Sequence, residues 1–119
     1  MRLLFVILAH ERPEEAAALA RALVGGASDA RALVHFDARV GAAPVEAFRA
    51  AAADEPRIEA LEERVATPWG EWGLVAAPLA ALRRAEAMAE AWDWTADRVV
   101  LLSGACLPCR PMGQLERFL

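Results

Sequence analysis

The sequence predicts an α/β protein with a Rossmann-like, mostly parallel sheet flanked by helices. Three observations carry this. Short apolar runs alternate with amphipathic helical segments along the chain, the pattern of a parallel sheet with right-handed crossovers. The first run, Arg2 to Ala9, is continuously apolar and contains Val and Ile, as a strand covered on both faces requires. Four stretches then stand where strands of such a sheet should end: Leu4 to His10 (LFVILAH), Val34 to Arg39 (VHFDAR), Pro68 to Gly73 (PWGEWG) and Val99 to Pro108 (VVLLSGACLP). Open α/β sheets bind ligands at the carboxyl ends of their strands. Each stretch leaves a polar group or a glycine there.

The elements follow in order. After the first strand, Pro13 suits the first turn of a helix, and Glu14 and Glu15 sit near its positive end. Ala16, Leu19, Ala20 and Leu23 share one helical face, and Gly25 and Gly26 are expected to stop it. Ala32 to Phe36 reads as the second strand. Pro44 opens a second helix with Val45, Phe48 and Ala52 at helical spacing, and Asp54 to Arg57 forms a turn. Ile58 to Thr67 fits either a third strand with a ragged tail or a short helix, with the strand favoured. Gly70 and Gly73 mark a tight passage into a long helix, Leu74 to Trp92, with Pro78 placed in its first turn, where it costs little. Arg98 to Leu102 is the fourth strand, and Pro111 starts a last helix that ends in Phe118 and Leu119.

Composition bounds the function. The chain has 119 residues and is 57% hydrophobic, enough to bury a core as a single domain spanning 1–119. Its net charge is −4, and its 13 basic residues are all arginine and scattered, which argues against a nucleic-acid partner. The apolar opening is too short to span a membrane and lacks a signal-peptide cleavage region. Arg83, Arg84, Glu86 and Glu90 interrupt the long helix, so no transmembrane segment is expected. The expected location is the cytoplasm, at most peripheral to a membrane. Two cysteines are too few for a secreted disulfide scaffold. The closing apolar pair, Phe118 and Leu119, leads to the expectation that the domain continues beyond Leu119 or that another chain covers this end by self-association.

Several residues could carry chemistry. Asp37, just past the second strand, can accept hydrogen bonds from ribose hydroxyls or a base edge; it can equally close a turn. His10 ends the first strand and can donate to a phosphate or be satisfied by a carbonyl. Glu11 and Arg12 beside it read as solvated. Trp69-Gly70-Glu71-Trp72-Gly73 leads into a helix N-terminus, where free N–H groups favour anions. Tryptophan there offers a stacking surface, or simply packs in a tight turn. Ser103-Gly104-Ala105 gives the small passage that close ligand approach needs, and is also an ordinary strand exit. Cys106-Leu107-Pro108-Cys109 has redox spacing. However, Arg110-Pro111 restarts the chain where a thioredoxin-type helix would run, and zinc would need two ligands besides the cysteines, with His10 and His35 the only histidines. There is no D-x-D, P-loop, G-x-G-x-x-G or G-x-S-x-G, so neither a metal nor a cofactor is expected.

Taken together, ILAHERPEEAAALARAL, LVHFDAR, TPWGEWGLVAAPLAALR and DRVVLLSGACLPCRPMGQLERFL resemble the N-terminal half of the core-2/I-branching β-1,6-N-acetylglucosaminyltransferase family, which also contains peptide O-xylosyltransferases. The resemblance covers nearly the whole chain. It implies a GT-A-like fold without D-x-D and an inverting, metal-independent transfer of N-acetylglucosamine or a related sugar from a UDP-sugar to a glycan or other hydroxyl acceptor. It implies that Leu8, Ala9, His10 and Asp37 contact the uridine, that Trp69 and Gly70 lie near the nucleotide, and that the loop with Ser103, Gly104 and Cys106 borders the sugar. Cys106 stands where the family usually has an acidic residue. The family's catalytic carboxylate and diphosphate-binding basic residues come from its later half, so this chain is expected to be the N-terminal part of a longer domain, with at most weak nucleotide binding and no turnover. Arg12, Arg39 and Arg110 lie near the right edge, and nothing selects one of them. The alternative readings are a non-catalytic α/β interaction module and a CxxC thiol redox protein.

Overall fold

The computed structural model describes all residues, 1–119. The elements are β1 (Arg2–Ala9), α1 (Pro13–Gly26), β2 (Asp29–Phe36), α2 (Ala42–Ala51), β3 (Ile58–Ala60), α3 (Gly73–Trp92), β4 (Arg98–Ser103) and α4 (Met112–Phe118). They form one four-stranded sheet in the order β3-β2-β1-β4, parallel throughout, with Val6 of β1 level with Leu33 of β2 and Leu101 of β4. The α/β, Rossmann-like expectation therefore holds. No helix is long and apolar enough to cross a membrane.

The unbroken apolar run of β1 serves two cores. Leu3, Phe5 and Ile7 face α1 and α2 in the larger one, together with Val34, Phe36 and Phe48. The rings of Phe36 and Phe48 meet edge-on, with centroids 5.3 Å apart. Leu4 and Val6 face the other way, packing with Leu33, Leu61 and Ala81 beneath α3. The order of strands dictates this division. The chain steps from β1 to β2 to β3 in one direction, then α3 carries it back past β1 to β4. Keeping right-handed crossovers while reversing direction puts α3 on the opposite face from α1 and α2. Between β1 and β4 the connections diverge, so their carboxyl ends border a topological switch point. α4 returns to the α1 side, where Met112, Leu115 and Leu119 pack on the larger core. Glu116 there accepts hydrogen bonds of 2.8 Å from both the Ser28 N–H and its hydroxyl.

Four local expectations are corrected. β2 begins at Asp29, not Ala32. Gly25 and Gly26 do not stop α1 but lie inside it, and the helix ends when Ala27 turns extended. A Cβ on Gly26 would come within 2.9 Å of the Met112 side chain, so this glycine serves the approach of α4. Of the stretch from Ile58 to Thr67, only Ile58–Ala60 is strand. Pro78 is the sixth residue of α3, beyond the first turn, so the Leu74 carbonyl loses its helical donor there.

Candidate functional site

Three strands end together at one rim. Gly104 donates its N–H to the Leu8 carbonyl at 2.8 Å, and Asp37 donates its N–H to the Ala9 carbonyl at 3.0 Å. At the switch point, Leu8, Ala9, His10, Glu11, Arg12 and Glu15 on one side and Ser103, Gly104 and Ala105 on the other enclose a crevice of about 300 Å³. Gly104 keeps it open. A Cβ there would lie 3.2 Å from both the Cα and the Cβ of Ala9. The exit from β4 is tied down by the Cys106 N–H on the Ser103 carbonyl at 3.0 Å, while Ser103 Oγ accepts from the Ala105 N–H at 3.3 Å. α1 starts at the crevice with no side-chain cap, and Pro13 occupies its first position. The N–H groups of the first turn therefore carry their partial positive charge toward this end. Arg12 and Glu15 are paired at 3.4 Å, and both are largely exposed.

Asp37 sits on the rim beside the crevice, but its side chain is 3% exposed. Its carboxylate accepts the Arg39 backbone N–H at 3.0 Å, the Arg39 guanidinium at 2.9 and 2.6 Å, and the Thr67 N–H at 3.3 Å. His10 Nδ1 lies 3.4 Å from Oδ2. The Arg39 guanidinium, against the opposing effect of burial, holds this carboxyl far below the ordinary carboxylate range. Both oxygens are thus engaged by the chain's own donors. A nucleotide hydroxyl reaching Asp37 must displace Arg39, whose side chain is 56% exposed.

Residues 61–68 form a strap across the end of β2. The Ala38 N–H donates to the Val65 carbonyl at 3.0 Å, and Arg64 donates to the carbonyls of Asp37 and Val40. The Val65 N–H donates to Nε2 of His35 at 2.9 Å. An accepting Nε2 assigns the proton of the neutral ring to Nδ1, and that nitrogen is buried without a partner. Burial pushes the His35 imidazole below its ordinary value. From the sequence, His35 stands out only as one of two histidines that could join a zinc site. The available signal was a histidine inside the apolar run Leu33-Val34-His35-Phe36, where a polar group needs a dedicated partner.

The strap leads into a turn in which the Glu71 N–H donates to the Pro68 carbonyl at 3.3 Å and Gly70 takes φ +78°, a left-handed conformation that suits glycine. Trp69 is 94% exposed and Trp72 70%, so neither is a packed turn residue. Trp69 shares the strand-end side with Asp37 through the strap but does not line the crevice. Of the strand-end candidates His10, Asp37, Trp69 and Ser103, the first and last face one crevice, Asp37 contacts His10, and Trp69 stands outside. Cys106 and Cys109 are free thiols, the first packed partly against the larger core and the second exposed. Cys109 lies three residues before α4 and Cys106 six, so neither is in the first turn of a helix. No cluster of three or more His, Cys, Asp or Glu side chains is arranged to hold a metal. No protein-family model matches this chain, and no curated protein matches it.

Proposed function

We propose that the β1–β4 crevice binds the nucleoside diphosphate of a UDP-sugar. In this reading the chain is the nucleotide-binding part of an inverting, metal-independent glycosyltransferase that moves N-acetylglucosamine or a related sugar to an acceptor hydroxyl. One observation carries it. The crevice lies at the switch point of the sheet, and its walls are Leu8, Ala9, His10, Ser103 and Gly104, residues that the family resemblance gives to the nucleotide and the sugar. Uridine would lie against Leu8 to His10. The diphosphate would meet the first turn of α1 and Arg12, whose exposed guanidinium can leave Glu15 for a stronger anionic partner. The sugar would extend toward Ser103, Gly104 and Cys106. Inverting transfer requires a base for the acceptor hydroxyl and positive charge on the departing diphosphate. Arg12 suits the second role, and no side chain here is assigned the first. A non-catalytic interaction module is the second reading, favoured by the exposed Val99 and Leu101 on β4.

Calorimetric titration with UDP tests the first reading. The unmodified protein should bind, Arg12→Ala should weaken binding on the order of tenfold, as loss of a charge-assisted hydrogen bond does, and Arg110→Ala, outside the crevice, should leave it unchanged. Absence of heat, or equal affinity in the unmodified protein and Arg12→Ala, refutes the assignment.

A further inference from the structure

A second cavity is larger than the crevice. It runs along the free edge of β3 and measures about 710 Å³, within the size range of ligand sites. Ile58 to Ala60 form its floor. Phe48 of α2 and Ala52 just after it wall it on one face of the sheet, and Ala80 and Ala87 of α3 on the other. A strand laid there would be covered on both faces, as the interior strands are.

The floor offers the hydrogen-bonding groups such a strand needs. The Arg57 carbonyl accepts from the Ala32 N–H at 2.9 Å, and the Leu61 N–H donates to the Val34 carbonyl at 2.9 Å. Residues 57, 59 and 61 therefore turn their backbone groups toward β2. The Ile58 carbonyl and both backbone groups of Ala60 point the other way, into the slot, where no group of the chain meets them. Unpaired edge groups of this kind are a template for another strand. The small alanines of the walls leave room for its alternate side chains. Of the acidic residues of the rim, Glu55 is matched by Arg57, Glu59 by Arg84 and Glu63 by Arg83, and Glu62 alone makes no ion pair. Little charge remains to recruit a charged ligand.

We propose that this slot takes an extended, uncharged peptide segment of a partner protein as a fifth strand beside β3. It lies at the sheet edge, apart from the strand-end crevice, and does not depend on the nucleotide reading.

The probe is a fluorescein-labelled, capped hexapeptide of alternating valine and threonine, followed by anisotropy against the full chain. A lysine–threonine peptide of equal length serves as control. Saturable binding of the first and none of the second is expected below about 1 mM, the weak end of specific recognition. Amide exchange at Ala60 should slow at least tenfold on binding. Ala87→Trp fills the slot from an exposed helical position and should weaken binding at least tenfold. Ala60→Pro removes the donor and should do the same. No saturation by the valine peptide, or unchanged affinity in Ala87→Trp, overturns the proposal. So does a concentration-dependent dimer of the protein that Ala87→Trp abolishes, because the slot would then belong to a second copy.

Discussion

Two buried side chains on β2 and just beyond it decide how the rim responds to acid. His35 must stay neutral, because its Nε2 accepts the Val65 N–H and burial disfavours the imidazolium. Its folded pKa lies below its unfolded value near 6.5, so the unfolded chain takes up the proton first. The stability it contributes is complete above that value and is lost as pH falls below it. Asp37 acts the same way in a lower window. Its folded pKa is depressed by Arg39, so its contribution is complete above the unfolded value near 3.8 and declines below that. A plot of melting temperature against pH should therefore fall in two steps. Replacing His35 with Gln, whose carbonyl can still accept from Val65, should remove the upper step and leave the lower one. Asp37→Asn should shrink the lower step, to which Glu55 and Asp97 also contribute, and cost about 1–3 kcal/mol at neutral pH, since the Arg39 guanidinium and the Thr67 N–H lose a charged acceptor. An unaltered upper step in the His35 variant would sink the assignment of the proton to this ring.

At the scale of elements, two glycines separate local conformation from tertiary contact. A Cβ on Gly73 would fall 1.7 Å from the Ala66 carbonyl oxygen, so the first turn of α3 rests on the strap only because that residue has no side chain. Gly25 lies within α1 with nothing within 4 Å of its would-be Cβ. Gly73→Ala should destabilise by about 1–3 kcal/mol, in the range of overpacking, whereas Gly25→Ala should stabilise by up to about 1 kcal/mol through helix propensity. Denaturant midpoints measure both, and a neutral Gly73→Ala would mean the strap does not bear on the helix. The same contrast explains what was legible in the chain. The apolar run of β1, Pro13 and Pro44 in first turns, and the Gly70–Gly73 passage are local signals, and they placed β1, α1, α2 and α3. The start of β2 was not legible. Asp29 and Arg31 look like loop residues, yet Asp29 accepts from the indole N–H of Trp94 at 2.8 Å and Arg31 stacks 4.5 Å from the centre of the Trp92 ring. Those partners lie some 60 residues away in sequence. Gly26 was misread for the same reason, because its partner is Met112. At the site, the rim positions of His10 and Ser103 followed from strand ends. That Arg39 closes over Asp37, and that His35 anchors the strap, depend on side-chain geometry that no spacing encodes.

The whole molecule is covered unevenly. α1, α2 and α4 shield one face of the sheet, while α3 alone lies on the other, above β1 and β2. Alternation along β4 sends Val100 and Leu102 into the larger core and leaves Val99 49% and Leu101 53% exposed on the α3 side. The outer side of α3 adds Val75, Leu79 and Leu82, each at least 40% exposed. Exposed apolar side chains on one side of the sheet are a surface on which further protein can pack. Phe118, 88% exposed on α4, was the expected point of self-association, but it sits on the opposite side of the sheet from Val99 and Leu101. Replacing both β4 residues with threonine distinguishes a free surface from a covered one. Threonine keeps strand propensity and removes apolar area. If these side chains meet only water, the melting temperature should hold, with stability changed by no more than about 0.5 kcal/mol, and binding of a hydrophobic dye should fall. If a second copy covers them in solution, the double variant should instead melt lower, become monomeric by light scattering and lose the concentration dependence that mass action imposes on the unmodified chain. Phe118→Ser run in parallel assigns any association to one face or the other.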